Sequence, residues 1–414
     1  MTCASNVGNV HGSGWKETNL SEGRVKIRPE MEESMLMSLQ ASAAERQAEM
    51  IQKISELVGM ESPSSSKIAV DRAVSLTAGW CESEQGRVKL HRQSEYGDLL
   101  EASFGPRRAS SPSPVLLLGH LDTVWEIGTI QEMPYLEEGN RISGPGILDM
   151  KAGVVMGLTA IQMLRELKTN SRPIKLLLHS DEEIGSPVSR AVTENVARQC
   201  DAVYVLEPAQ GRKGACKTAR KGVGHYRLEV DGVAAHSGVD FSAGHSAILE
   251  LARQIERISD LTSPSTGITV NPGVIGGGTQ RNVVAANAWA EIDVRTSSMR
   301  DAASIDRALR ILRAVDKGCK IRVSGGMNRP PMVRTKGTVA LFRRAQYLAS
   351  ALGFTLEESS TGGGSDGNFT SALGIPTLDG IGAVGAGAHA AHEHILAEHL
   401  APRTALLAAM MLPK

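Results

Sequence analysis

Aromatic residues and net charge are what this chain has least of. Of its 414 residues only 3% are Phe, Trp or Tyr, and 45 Lys and Arg stand against 45 Asp and Glu. Few rings are available to stack on bases and no basic surplus meets phosphate, so no nucleic-acid partner is expected. The five cysteines, Cys3, Cys81, Cys200, Cys216 and Cys319, are odd in number and scattered, with no C-x-x-C pair, which points to a reducing compartment. Residues 1 to about 29 are polar and rich in Gly, Ser and Asn, without the apolar centre of a signal peptide. No run approaches the ~18 apolar residues of a membrane span. The expectations are a cytoplasmic protein, no membrane partner, and a loosely ordered segment over 1–30.

What is present is length enough for more than one core, and 41% hydrophobic residues to fill them. Helical spacing without Pro or Gly predicts one long helix from Met31 to Val58, followed by a loop at Pro63 and its serines. Strands are then predicted at Val115–Gly119, Ile174–His179 and Ala202–Leu206, alternating with helices at Lys151–Leu167 and Ser189–Gln199. That alternation implies a mostly parallel sheet with helices on both faces, an α/β fold. Between about Lys217 and Arg329 the order becomes β-α-β-β-α-β: strands at Gly224–Val230, Thr269–Val274, Val283–Val294 and Lys320–Val323, helices at Ser246–Ile258 and Ser298–Val315. A ferredoxin-like unit over 217–329 thus interrupts a first, α/β domain formed by 31–216 and 330–414. The second part predicts a helix near Val339–Leu352, a strand at Thr355–Glu358, a loop at Thr361–Asp366, a strand at Pro376–Leu378 and a helix near Ala397–Leu412.

Acidic and imidazole groups follow three of the predicted strands: His120-Leu121-Asp122, Asp181-Glu182-Glu183 and Glu207-Pro208. In an open α/β sheet the carboxyl ends of the strands are where ligands bind. Asp149, in a Gly/Pro loop just before a helix, can lean over the same edge. Alone, an H-x-D pair reads as a surface pair or a helix cap, and an acidic run as a solvated loop. Their joint placement behind three buried runs argues for a site, and so many acids at one apolar edge require cations.

The segments Gly119-His120-Leu121-Asp122-Thr123-Val124, Ser143-Gly144-Pro145-Gly146-Ile147-Leu148-Asp149-Met150-Lys151, Ser180-Asp181-Glu182-Glu183-Ile184-Gly185-Ser186 and Glu207-Pro208 resemble, in order, those of the dinuclear-metal exopeptidase and aminoacylase superfamily. That group includes acetylornithine deacetylase, succinyl-diaminopimelate desuccinylase and carboxypeptidase G, and the glutamate carboxypeptidase branch resembles this chain best. The resemblance implies two divalent ions held by His120, Asp149, Glu183, Glu207 and His389, with Asp149 between them. His120 and Glu207 would hold one ion, Glu183 and His389 the other. Asp122 would accept the other N–H of His120, and Glu182 would be the general base toward a water activated by the ions. Spacing alone leaves His392 and His394 open as alternatives to His389. Met150 stands where relatives often carry another acid, and Ala390-Ala391-His392 replaces a more polar run. Zinc is the family's usual ion, and this donor set also accepts manganese or cobalt.

The resemblance makes the inserted unit a lid or dimerisation domain on a catalytic metal-binding domain, and three of its residues match family positions that serve substrate. His236 would reach into a partner subunit's site in a homodimer, Asn282 would bind substrate oxygens, and Arg295 would anchor a substrate carboxylate with its fork. A turn His, a hairpin Asn and a strand-end Arg in a surface ion pair are the plain alternatives. Gly363 and Gly364 lie in a loop resembling the family's substrate loop, whose N–H groups can approach a ligand. The function implied is hydrolysis of a C–N bond, the amide of an N-acyl amino acid or small peptide with a free carboxylate. Hydrolytic deamination of an amino-arene carboxylate, as in 5-nitroanthranilate aminohydrolase, and a non-catalytic binding protein on the same scaffold are the alternatives.

Overall fold

The run Val115–Leu118 is apolar at every position, so it needs cover on both sides, and it receives it. The computed structural model describes residues 29–105, 113–169 and 171–413. The expected loose segment over 1–30 falls almost wholly outside them. In chain order the elements are α1 (Pro29–Glu45), α2 (Gln47–Gly59), α3 (Lys67–Ser83), β1 (Arg87–His91), β2 (Leu99–Phe104), β3 (Val115–His120), α4 (Thr129–Glu132), β4 (Leu136–Glu138), β5 (Arg141–Ser143), α5 (Ala152–Glu166), β6 (Ile174–His179), α6 (Ser189–Ala197), β7 (Ala202–Val205) and β8 (Cys216–Arg220). There follow β9 (Gly222–Asp231), α7 (Ala247–Ser259), β10 (Thr269–Gly277), β11 (Asn287–Thr296), α8 (Met299–Arg310), β12 (Lys320–Arg329), α9 (Lys336–Ala351), β13 (Glu358–Thr361), α10 (Gly367–Ala372), β14 (Thr377–Leu378), β15 (Gly385–Ala386), β16 (His394–Leu396) and α11 (Leu400–Met410).

The main sheet has the order β1-β2-β6-β3-β7-β14. Strands β6, β3, β7 and β14 are parallel, while β2 joins β6 antiparallel and β1 joins β2 antiparallel. Side-chain alternation splits β3 between two cores: Val115 and Leu117 pack with residues of α1, α2, α5, α9 and α11, whereas Leu116 and Leu118 pack with Val196 and Ala197 of α6. Helix α5 lies against the first face with most of its side chains buried. With the π-helical turn Ile147–Lys151 before it, it forms a helix long and apolar enough on average to cross a membrane, although Asp149, Lys151 and Arg165 interrupt its apolar run. Because 89% of its most apolar window is buried inside the protein, it reads as a core helix.

A second sheet, β10-β11-β9-β12, is antiparallel throughout. Alternate residues Tyr226, Leu228 and Val230 of β9 and Ala288, Ala290, Ile292 and Val294 of β11 form a separate core with Leu251, Ile258, Ile305 and Leu309 from α7 and α8. The order of these elements is the expected β-α-β-β-α-β.

Several boundaries differ from the sequence reading. The opening helix breaks at Arg46, whose N–H bonds Ala43 O three residues back. Elements α3, β1, β2, α4, β4, β5, β8, α10, β15 and β16 are additional, and β13 begins at Glu358 rather than Thr355. Strand β8 pairs in parallel with β13, so the second sheet starts at Gly222 and not at Lys217.

Candidate metal centre

His120 ends β3, beside His179 at the end of β6, and is almost wholly buried. Its Nε2 lies 3.3 Å from Asp149 Oδ1 and 3.6 Å from Glu207 Oε1. Asp149 Oδ2 lies 3.4 Å from His389 Nε2, which is 3.2 Å from Glu183 Oε2. Two sets of donors, His120 with Asp149 and Glu207, and Asp149 with Glu183 and His389, thus share one carboxylate, each with its donor atoms within 4.8 Å. Asp149 leaves helical geometry within the π-turn, and its bond to Met150 is cis. His389 is half-exposed, takes a left-handed φ of 61°, and is the histidine brought to the site. His394 Nδ1 meets His392 O instead.

Buried groups hold these donors in place. The Glu393 carboxylate accepts from the main-chain N–H of Gly146, Leu148 and Asp149 and from Trp125 Nε1, fixing the loop that carries Asp149. Asp122 accepts the other N–H of His120 through its main-chain carbonyl, 2.9 Å from Nδ1, with its carboxylate Oδ1 at 3.5 Å. The carboxylate is turned toward Ser64 Oγ at 2.6 Å and the N–H groups of Glu182 and Glu183. It therefore joins the loop bearing the acids to the strand bearing the imidazole. Arg329 Nη2 donates to Glu182 Oε1 at 2.9 Å and to Asp366 Oδ1 at 3.0 Å.

The electrostatics suit cations. Burial lowers the affinity of His120 for a proton, but Asp122, Asp149 and Glu207 outweigh it and hold the imidazole well above its ordinary pKa. Asp149 and Glu183 raise His389 to about 10. Burial raises Glu183, and it raises Glu182 well above the carboxylate range despite Arg329. Burial and Asp149 push Glu207 up, but Arg220, His120 and Lys217 together hold it below its usual value. Glu183 Oε1 is buried without a hydrogen-bond partner. An orphaned carboxylate oxygen beside carboxylates and imidazoles is the donor chemistry that divalent ions satisfy.

Comparison with known proteins agrees with this arrangement. Residues 116–412 match the model of peptidase family M20/M25/M40. The chain belongs to that family. It is 27% identical to carboxypeptidase G2 of Pseudomonas sp. (strain RS-16) over 305 residues, 72% of this chain and 73% of that one. The fold superposes on aminopeptidase PepT of Bacillus cereus with a TM-score of 0.74 at 22% identity, covering 88% of this chain and 98% of the other. It also superposes on the Bacillus subtilis YXEP protein, described as a dinuclear metal binding peptidase, with a TM-score of 0.65 at 15% identity over 88% and 98% of the two chains. Family M20/M25/M40 membership and the carboxypeptidase homologue make this chain a metal-dependent hydrolase of peptide or amide C–N bonds.

The other residues expected to serve substrate lie outside the two donor sets. His236 and Asn282 are exposed in the second unit, where Ser237 N bonds Asn282 O at 3.0 Å and His236 bridges Val283. Neither hydrogen-bonds to the five clustered donors. Arg295 is not a free fork: Nε and Nη2 both grip Asp293 of the same strand at 2.8 Å, the plain ion-pair alternative. Gly363 and Gly364 turn their carbonyls toward Arg220, at 3.3 and 3.0 Å, rather than presenting only N–H groups. A side chain at Gly364 would meet Val223 at 2.7 Å and Arg329 at 3.0 Å, which explains the glycine. Sequence reasoning passes over Arg220, Arg329 and Ser64. The apolar contrast that reveals strands gives no sign of a buried arginine, and only the dense ionisable run Lys217 to Lys221 hints at one.

Proposed function

We propose that this chain is a carboxypeptidase-like hydrolase with a dinuclear metal centre, acting on small peptides or N-acyl amino acids that carry a free carboxylate. The observation that carries the reading is the sharing of Asp149 by the two donor sets. His120 and Glu207 would hold one ion, Glu183 and His389 the other, and zinc is the ion proposed, with manganese or cobalt as substitutes. Two divalent ions there would acidify a water between them, draw charge from the scissile carbonyl and stabilise the oxyanion.

Glu182 takes the proton of the attacking water. The water oxygen bonds to the carbonyl carbon, the C–N bond breaks, and Glu182 returns the proton to the departing nitrogen. Arg329 occupies Oε1, so Oε2 is the oxygen that accepts the proton. The raised pKa of Glu182 makes it a better base than a surface carboxylate.

A homodimer is part of the proposal. Edge strand β10 exposes Val274 and Ile275, and the neighbouring start of α7 exposes Ile248 and Leu249. An unpaired apolar edge favours pairing with a second copy. His236 and Asn282, exposed and outside the two donor sets, would then serve the other subunit's substrate. Arg295, committed to Asp293, is dropped as the carboxylate anchor.

Glu182→Gln tests the reading. The variant should keep two ions per chain by elemental analysis while hydrolysis of an N-acyl glutamate or dipeptide panel falls roughly a hundred- to ten-thousand-fold. Loss of the ions, or survival of most of the rate, would make the assignment of base and ligands wrong.

A further inference from the structure

Glu207 offers its two oxygens to different partners. Oε1 faces His120 inside one donor set, whereas Oε2 accepts from Arg220 Nη2 at 2.9 Å and lies 4.0 Å from Lys217 Nζ. Arg220 is buried, and its other N–H groups are engaged as well. Nε and Nη2 grip the two oxygens of Asp379 at 2.8 and 2.7 Å, and Nη1 donates to Gly363 O and Gly364 O. Asp379 is fully buried and is held in turn by Ser365 Oγ at 2.6 Å. Across Asp149 the matching acid has no such support. Glu183 Oε2 meets His389, and its Oε1 is buried with no hydrogen-bond partner.

The two sets therefore contain the same residue types in different surroundings. A guanidinium whose plane is locked by Asp379 fixes the Glu207 carboxylate as a planar fork can, and reserves one of its oxygens. We propose that Arg220 is a positioning residue that presents Glu207 to its metal ion through Oε1 alone and couples that ligand to the Gly363-Gly364 loop. This rests on the dinuclear reading above. Because Glu183 lacks such a partner, Arg220 should govern one ion and leave the other untouched.

Arg220→Lys keeps the charge but loses the fork, which separates orientation from electrostatics. Calorimetric titration of the metal-stripped full chain with zinc should give two binding steps for the wild type. In the variant one step should weaken ten- to a hundredfold, the size usual for a partner that orients a metal ligand, with the other step unchanged. Two wild-type-like steps in a folded variant, or equal weakening of both, would overturn the proposal and leave Arg220 as a structural ion pair. If Arg220→Lys does not fold, Asp379→Asn loosens the same fork without touching Glu207; the same single step should weaken, and an unchanged titration would overturn the proposal. Fewer than two ions in the wild type would instead sink the dinuclear reading, and this inference with it.

Discussion

Five donors close to one another carry more proton-binding capacity than isolated side chains would. In the metal-free protein His389 is raised to about 10 by Asp149 and Glu183, and His120 also stands well above its ordinary value. At neutral pH the His389 imidazole holds a proton that an arriving ion must displace, and the upward shift of His120 acts in the same direction. The sign follows: below about 10 protons compete with metal, so affinity falls as pH falls, about tenfold per unit for each proton released. Zinc binding at pH 7 should release at least the His389 proton, measured by calorimetry in buffers of different ionisation enthalpy; release of none would contradict this shift. His120, Glu183 and Glu207 were legible in the sequence because they follow buried runs, whereas His389 was singled out from its neighbouring histidines by the family resemblance. Their supports were not. Arg220 meets Asp379 across 159 residues and Glu393 reaches back 244 residues to Asp149 N, and no local pattern encodes such pairings.

Elements with strong apolar contrast, such as β3, β6 and α5, could be read from the sequence nearly to their ends. Strand β13, Glu358-Ser359-Ser360-Thr361, is polar and exists because β8 pairs with it, so it offers no periodic signal. Strand β1 is an edge strand of mixed exposure, and α3 buries mainly small residues, Ala69, Ala73, Thr77 and Ala78 among them, while its Ile68 is exposed. Both blur the contrast on which period reading depends. The packing of α5 on the sheet makes a firmer test. A Cβ on Gly153 would lie 2.1 Å from Leu206 O, a main-chain atom one residue before Glu207. Gly153→Ala should cost about 1–3 kcal/mol in chemical denaturation, the usual penalty of overpacking, and disturb Glu207. An unchanged midpoint would mean that helix and strand are free to separate at that contact.

At the scale of the molecule, His120, Glu183 and Glu207 come from the ends of main-sheet strands, Asp149 from the turn before α5 and His389 from the segment after β15, while His236 and Asn282 lie in connections of the second unit. The β-α-β-β-α-β order of that second unit was readable because its amphipathic helices and alternating strands are local features, whereas its starting point depends on the pairing of β8 with β13. If two copies complete one another's sites, inactive His236→Ala and inactive Glu182→Gln chains should recover activity when mixed, since one site of each mixed dimer keeps both groups. Verified mixed dimers as inactive as their parents would exclude the shared site. The central claim is the pair of ions about Asp149, and anomalous diffraction at the zinc edge from zinc-loaded crystals tests it most directly. The account predicts two peaks flanking the Asp149 carboxylate, one against His120 and Glu207 and the other against Glu183 and His389. A single peak, or a second one beside His392 or His394, would contradict it.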